Sequence, residues 1–227
     1  MKIAICDDEA EALHRLESHL CEYPSEITAF YSAKSLLANT ECDFDIIFLD
    51  IEMDEMNGFE AARQINFMYP GKIFAFFTSH TELAPWGYEY RPFRYILKTD
   101  PPGRIKKQID DTVCEYYHKT KTITVSYKNK VSKLRVKDIL YIEIFDHIAA
   151  LHTPQGVYHW YQRLKEIEKL LSPYRFIRCH KSYIVNLYHA RSIVQNKYFM
   201  MTDKTLIPIG KTYKPQAEND YIEFYFN

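Results

Sequence analysis

Two different rhythms of apolar residues divide the chain. From Met1 to about Lys119, short apolar runs alternate with stretches whose apolar residues recur every three or four positions. The runs are KIAIC, ITAFY, DIIFLD, KIFAFF and FRYIL; the helical stretches are EAEALHRLESHLCEY, SAKSLLAN, GFEAARQINFMY and PPGRIKKQIDDTVCEYYHK. Strands this apolar on both faces have no solvent side, so the pattern predicts five strands in a parallel sheet covered by helices above and below. Right-handed crossovers then give a doubly wound α/β domain, which binds ligands beyond the carboxyl ends of its strands. Between Thr81 and Tyr90 the chain carries Pro85 and Gly87, so the fourth helix is expected to be short or irregular.

After Lys119 the rhythm shortens. β-Branched and aromatic runs follow one another closely: TITVSY, VSKLRV, ILYIEIF, HIAALHT, VYHWY, FIRC, SYIVNL, RSIVQ, KYFMMT, TLIPIG and YIEFYF. Turn residues separate them at Lys128-Asn129-Lys130, Pro154-Gln155-Gly156 and Thr202-Asp203-Lys204. Only RLKEIEKLL reads as a helix of any length, so this half is expected to be a small, mainly β domain. The domains are placed at 1–119 and 120–227. No Gly, Ser or Pro linker separates them, so the last helix of the first should run almost directly into the first strand of the second.

A length of 227 residues, 47% hydrophobic and 26% charged, suits two ordinary globular domains. No apolar run approaches the roughly 20 residues of a membrane span, and MKIAICDDE is too short and too acidic for a secretion signal. No membrane association and a cytoplasmic location are expected. The five cysteines (Cys6, Cys21, Cys42, Cys114, Cys179) are scattered and form no CxxC pair, which argues for mostly buried free thiols rather than disulfides or zinc. The overall charge of −1 conceals an asymmetry: residues 1–120 hold 12 Lys and Arg against 21 Asp and Glu, a net of −9, and the remainder is net +8. An acidic half points to a cation site and a basic half to a polyanion, although the two charges could also merely compensate one another.

In the first half, Asp7 and Asp8 end the first strand, Asp50 ends the third, Thr78 the fourth and Lys98 the fifth. All five therefore converge on one edge of the sheet. Crowded carboxylates repel unless a cation sits among them, and hard oxygen ligands select Mg²⁺. This arrangement, with Gly58 in MNGFE, resembles the receiver domains of two-component response regulators. The resemblance implies that Asp50 accepts a phosphoryl group from a sensor histidine kinase, and that Asp8, Asp50 and the Glu52 carbonyl bind Mg²⁺, with Asp7 completing the acidic pocket. It also implies that Thr78 and Lys98 contact the phosphoryl group and that Tyr95 changes rotamer on phosphorylation. Such a protein is a phosphoacceptor that assists its own phosphorylation and dephosphorylation, not a conventional enzyme. Thr99 stands where the family has a cis proline, so a trans bond and an altered loop are expected, with Asp100 free to cap a helix from Pro101.

In the second half, RFIRCHKSYIVNL and IGKTYK concentrate basic residues. YIEIFDHIAALHT, RLKEIEKLL, FIRCHKSYIVNL and LIPIGKTYK follow the order of LytTR DNA-binding domains, which this half resembles over nearly its whole length. The resemblance places His147, Lys181 and Lys211 at base-contacting loop positions, with Arg178 and His180 contacting the DNA backbone or supporting the loop. It implies promoter DNA, in repeated elements, as partner, and a homodimer formed on phosphorylation. Cys179, between Arg178 and His180, could be redox-responsive, but an inert buried thiol is the better reading. Two alternatives remain open from the residues: a receiver joined to a protein- or RNA-interaction module, and a Mg²⁺-dependent aspartyl phosphatase with Asp50 as nucleophile. Glu52 lacks the context of the Asp-x-Asp loop that the latter would need.

Overall fold

The apolar runs of the acidic half form one parallel sheet in the computed structural model, which describes residues 1–39 and 43–226. The chain divides into two compact units, Met1–Tyr116 and Tyr117–Asn227. In the first, β1 (Lys2–Cys6), β2 (Glu26–Phe30), β3 (Ile46–Leu49), β4 (Ile73–Thr78) and β5 (Arg94–Leu97) pair in the order β2-β1-β3-β4-β5. Helices α1 (Ala10–Leu20), α2 (Ala33–Ala38), α3 (Gly58–Met68), α4 (Ala84–Gly87) and α5 (Pro102–Thr120) intervene or follow. Every residue of β3 and β4 is buried, which is why these strands read as unbroken apolar runs rather than alternating ones. α4 is only four residues long and passes into a 3-10 turn at Tyr88–Tyr90. α5 begins at Pro102 and no described peptide bond is cis. Asp100 lies 3.3 Å from the Arg104 guanidinium and accepts a hydrogen bond from the Gln108 side chain at 3.3 Å.

The second unit contains a hairpin of β6 (Thr122–Tyr127) and β7 (Lys130–Arg135) and a five-stranded sheet ordered β10-β9-β8-β12-β11. The latter uses β8 (Tyr141–Phe145), β9 (Ile148–Thr153), β10 (Gly156–Tyr161), β11 (Phe176–His180) and β12 (Tyr183–Asn186), with α6 (Leu164–Leu171) between β10 and β11. A third sheet joins β13 (Ala190–Val194), β14 (Tyr198–Met201) and β15 (Leu206–Pro208), and α7 (Lys214–Phe226) closes the chain. Buried and half-buried residues alternate along β9, as one-sided antiparallel strands require. Two apolar clusters result: Ile142, Leu151, Ile167 and Phe176 belong to one, and Val185, Phe199, Met201 and Ala217 to the other.

One expectation fails. YIEFYF is the end of α7 and not a strand, so RLKEIEKLL is not the only substantial helix of this half. Ala217, Tyr221 and Phe224 fall on one helical face, and all three pack into the second cluster. Tertiary burial overrides the β preference of the aromatics there. Of the cysteines, Cys6 and Cys179 are buried, Cys114 is intermediate and Cys21 is exposed, all as free thiols. Cys42 lies outside the described residues. No helix among the described residues is long and apolar enough to cross a membrane.

Candidate functional site

Backbone pairing brings the acidic residues together. Asp50 N–H donates to the Cys6 carbonyl at 2.9 Å, which sets the end of β3 beside the end of β1, and Lys98 N–H donates to Thr78 O at 2.7 Å, doing the same for β5 and β4. The ligand oxygens of Asp7, Asp8 and Asp50 all lie within 4.8 Å of one another. Asp7 and Asp50 are buried and Asp8 is exposed, so the cluster opens to solvent on one side. The Lys98 ammonium is 2.7 Å from both Asp7 Oδ2 and Asp50 Oδ2. Burial works against its charge, but Asp50 and Asp7 outweigh that penalty and hold the Lys98 pKa above its ordinary value. Burial raises the Asp7 carboxyl to about 6, against the pull of Lys98 and with Asp50 adding to the rise.

Asp7 Oδ2 is buried and, although Lys98 is in ionic contact, no donor among the described residues is aligned for a hydrogen bond to it. One ammonium cannot satisfy three carboxylates, so a hard divalent cation fits the remaining oxygens. The other Asp50 oxygen, Oδ1, accepts from Ile51 N–H at 2.7 Å. Glu52 lines the same cleft with Asp54, Asn57, Ser79 and His80. Its side chain is turned to His80 Nε2 at 2.9 Å, and the expected ligand role is that of its backbone carbonyl.

Gly58 is required where it stands. A Cβ there would sit 1.9 Å from the Asp50 carbonyl oxygen and 2.9 Å from Ile51 Cα, both backbone atoms. Gly58 N–H also donates to Ile51 O at 2.7 Å, closing the loop that follows Asp50 onto the start of α3.

Thr78 is fully buried at the end of β4; Ser79 and His80, not Thr78, line the cleft. The Tyr95 hydroxyl donates to the His80 carbonyl at 2.5 Å, and its ring lies where a side chain at Gly87 would stand. His80 itself was not picked out from the sequence. It links Glu52 and Glu82, its Nδ1 lying 2.8 Å from Glu82, and the Glu82 hydrogen bond raises its pKa against burial. Glu82 is two residues away, but Glu52 comes from the loop after β3, and nothing in the sequence around His80 marks that contact.

In the second unit the basic candidates lie at one end of a sheet. His147 and Asp146 form the β8–β9 turn with φ of 67° and 44°, a left-handed pair suited to a two-residue hairpin. Lys181 and Ser182 form the β11–β12 turn, and β12 pairs with β8 so that Tyr183 lies opposite Glu143. Ile144 N–H donates to Ser182 O at 2.9 Å, which joins the two turns. Gly210 N–H donates to the Cys179 carbonyl at 2.9 Å, and a Cβ on Gly210 would come within 3.1 Å of the His180 ring, so Lys211 is drawn to the same end. His147, Lys181 and Lys211 are all exposed. Arg178 is occupied within the protein: it donates to the carbonyls of His180 at 3.3 Å and Lys181 at 3.1 Å, and pairs with Glu168 at 3.3 Å. These contacts tie the β11–β12 turn to α6. Burial pushes the Cys179 thiol up to about 12, consistent with an inert thiol.

Comparison with known proteins agrees with both halves. The response regulator receiver domain family matches residues 3–110, and the LytTr DNA-binding domain family matches residues 129–219. The chain is 29% identical to the transcriptional regulatory protein LytR of Staphylococcus aureus, over 94% of this chain and 96% of that protein. It is 27% identical to the sensory transduction protein LytT of Bacillus cereus, over 96% and 98%. Among solved structures, the response regulatory domain of mrkE from Klebsiella pneumoniae covers 51% of this chain and 98% of its own at a TM-score of 0.48, with 27% identity. Between them the two family matches take in most of the sequence, and the chain is a two-component response regulator that controls transcription, a receiver domain followed by a LytTr DNA-binding domain.

Proposed function

We propose that Asp50 is the phosphoacceptor, that a sensor histidine kinase supplies the phosphoryl group, and that the modified chain dimerises in the cytoplasm on repeated promoter elements. The functional boundary is set at 119/120, in the last turn of α5. The observation that carries the reading is the buried Asp50 carboxylate held 2.7 Å from Lys98 and clustered with Asp7 and Asp8 at the sheet edge. An Asp50 oxygen attacks phosphorus as the P–N bond to the donor imidazole breaks, and the ring leaves with a proton. The Lys98 ammonium balances the charge of the arriving oxygens, and the Thr78 hydroxyl turns toward them from the end of β4. Asp8, Asp50 and the Glu52 carbonyl would hold Mg²⁺, with Asp7 beside them; when bound, the ion supplies charge neutralisation for the transferring group. Water attack on the acyl phosphate returns free Asp50 and inorganic phosphate.

The Tyr95 hydroxyl already bonds the loop after β4, so displacement of Thr78 would be felt at Tyr95 and α4, where two receivers could pair. His147, Lys181 and Lys211 would read base edges, the lysines donating to guanine O6 and N7, while Arg178 and His180 hold the loop. Incubation with acetyl phosphate and Mg²⁺ should add one phosphoryl group per chain and shift the sedimenting species toward dimer. Asp50→Asn should abolish both. Equal labelling of the variant would refute the assignment, and an unchanged monomer–dimer constant would refute the switch.

A further inference from the structure

The turn Lys128-Asn129-Lys130 joins β6 to β7 at the edge of the second unit, and β6 lies before the start of the LytTr match at residue 129. From the packing of this hairpin we infer a further DNA-backbone contact at Lys128 and Lys130, an inference that rests on the DNA-binding reading above. The Tyr127 ring lies 4.9 Å from the Tyr161 ring and 5.1 Å from the His159 ring. Tyr161 in turn pairs with Ile148, the residue after His147. The hairpin tip therefore lies at the same end of the sheet as His147, Lys181 and Lys211. Strand spacing of about 4.8 Å puts Tyr161 within roughly 7 Å of the β8–β9 turn, a separation comparable to that of neighbouring phosphates.

The charge is one-sided. From Thr122 to Leu134 the hairpin has Lys128, Lys130 and Lys133 and no acid. Lys128 and Lys130 are exposed and line a cleft of about 620 Å³ against β10 with Tyr127, Asn129 and His159. The Lys128 ammonium lies 5.3 Å from the Tyr127 ring centroid, and its backbone takes a φ of 52° in the turn. A duplex laid across the three reading loops would bring its sugar-phosphate backbone over this tip. Two ammonium groups flanking Asn129 suit phosphate, and a loss equal on every sequence separates that role from base reading by the Asn129 amide between them.

The test is a salt titration of full-length protein on a duplex selected by the wild-type chain from a random pool and on a scrambled duplex. Lys128→Asn together with Lys130→Gln should weaken binding to both alike, by roughly tenfold per lost contact at 0.1 M salt. The slope of log K against log salt should fall by about two units. Lys133→Gln is the control: it alternates to the face away from the cleft and should leave the slope unchanged. An unchanged slope in the double variant, while Lys181→Ala still loses the selected duplex, overturns the hairpin contact alone. An equal slope change in Lys133→Gln overturns it too, by showing only a net-charge effect. A wild-type chain that binds neither duplex overturns the DNA-binding reading itself.

Discussion

Asp7 illustrates how one residue can be unfavourable for the fold and useful to the site. Its carboxyl is raised from 3.8 to about 6, chiefly by burial. Between those values the folded chain binds the proton before the unfolded chain does, so folding stability increases as pH falls through the window and its penalty is complete above about 6. In metal-free buffer, the thermal midpoint of wild type should therefore rise relative to Asp7→Asn between about pH 7 and about pH 5. A constant difference would remove the argument. Mg²⁺ affinity should change in the opposite sense, weakening over the same window as the carboxylate is protonated. At Gly58 the conflict is steric: the added methyl of Gly58→Ala would meet backbone on two sides. Denaturant unfolding should show a loss of about 1–3 kcal/mol. Acetyl phosphate labelling of Asp50 should slow as well, because the backbone that the methyl displaces carries Asp50 itself.

Among the elements, α7 separates local preference from packing most clearly. As a strand, YIEFYF would put Ile222 and Phe224 on one face; as a helix it separates them. Ile222 is 52% exposed, whereas Phe224 packs against the second cluster, and the Tyr221 and Tyr225 hydroxyls donate to Arg191 O at 2.8 Å and Leu187 O at 2.9 Å. Phe224→Ala should cost about 1–3 kcal/mol in equilibrium unfolding, and Ile222→Lys should stay within about 0.5 kcal/mol. Equal losses would be incompatible with this helical face.

For the molecule as a whole, the −9 and +8 halves correspond to an acidic receiver domain and a basic DNA-binding domain. Specificity and electrostatic docking should separate by mutation. Lys181→Ala and Lys211→Ala should each cost about 1–3 kcal/mol on a selected duplex and little on a scrambled one. Arg178→Ala should behave like them rather than like a phosphate contact, because it braces the carbonyls of His180 and Lys181. Binding isotherms of the three variants on both duplexes check this, and a uniform loss for the lysine variants would make the loops an electrostatic dock only.

The parallel, helix-covered sheet, the two-part organisation and the acidic pocket were legible from the sequence because the residue pattern that marks each is local, whereas the strand order was not. Buried parallel strands are apolar throughout, and Asp7, Asp8, Asp50, Thr78 and Lys98 all stand at strand ends that such a sheet gathers on one edge. The tertiary structure alone decided what depends on residues distant in the chain. That Arg178 meets Glu168 and the carbonyls of His180 and Lys181 is visible only in the fold. His80 had no visible role until Glu52, from the loop after β3, met it beside its own near neighbour Glu82. YIEFYF had the composition of a strand, and only the apolar surface formed by residues such as Val185, Phe199 and Met201 made the helical spacing of Ala217, Tyr221 and Phe224 the one that buried them. Local sequence sets the period of an element, but the surface it meets determines which of two allowed periods removes more apolar area from water.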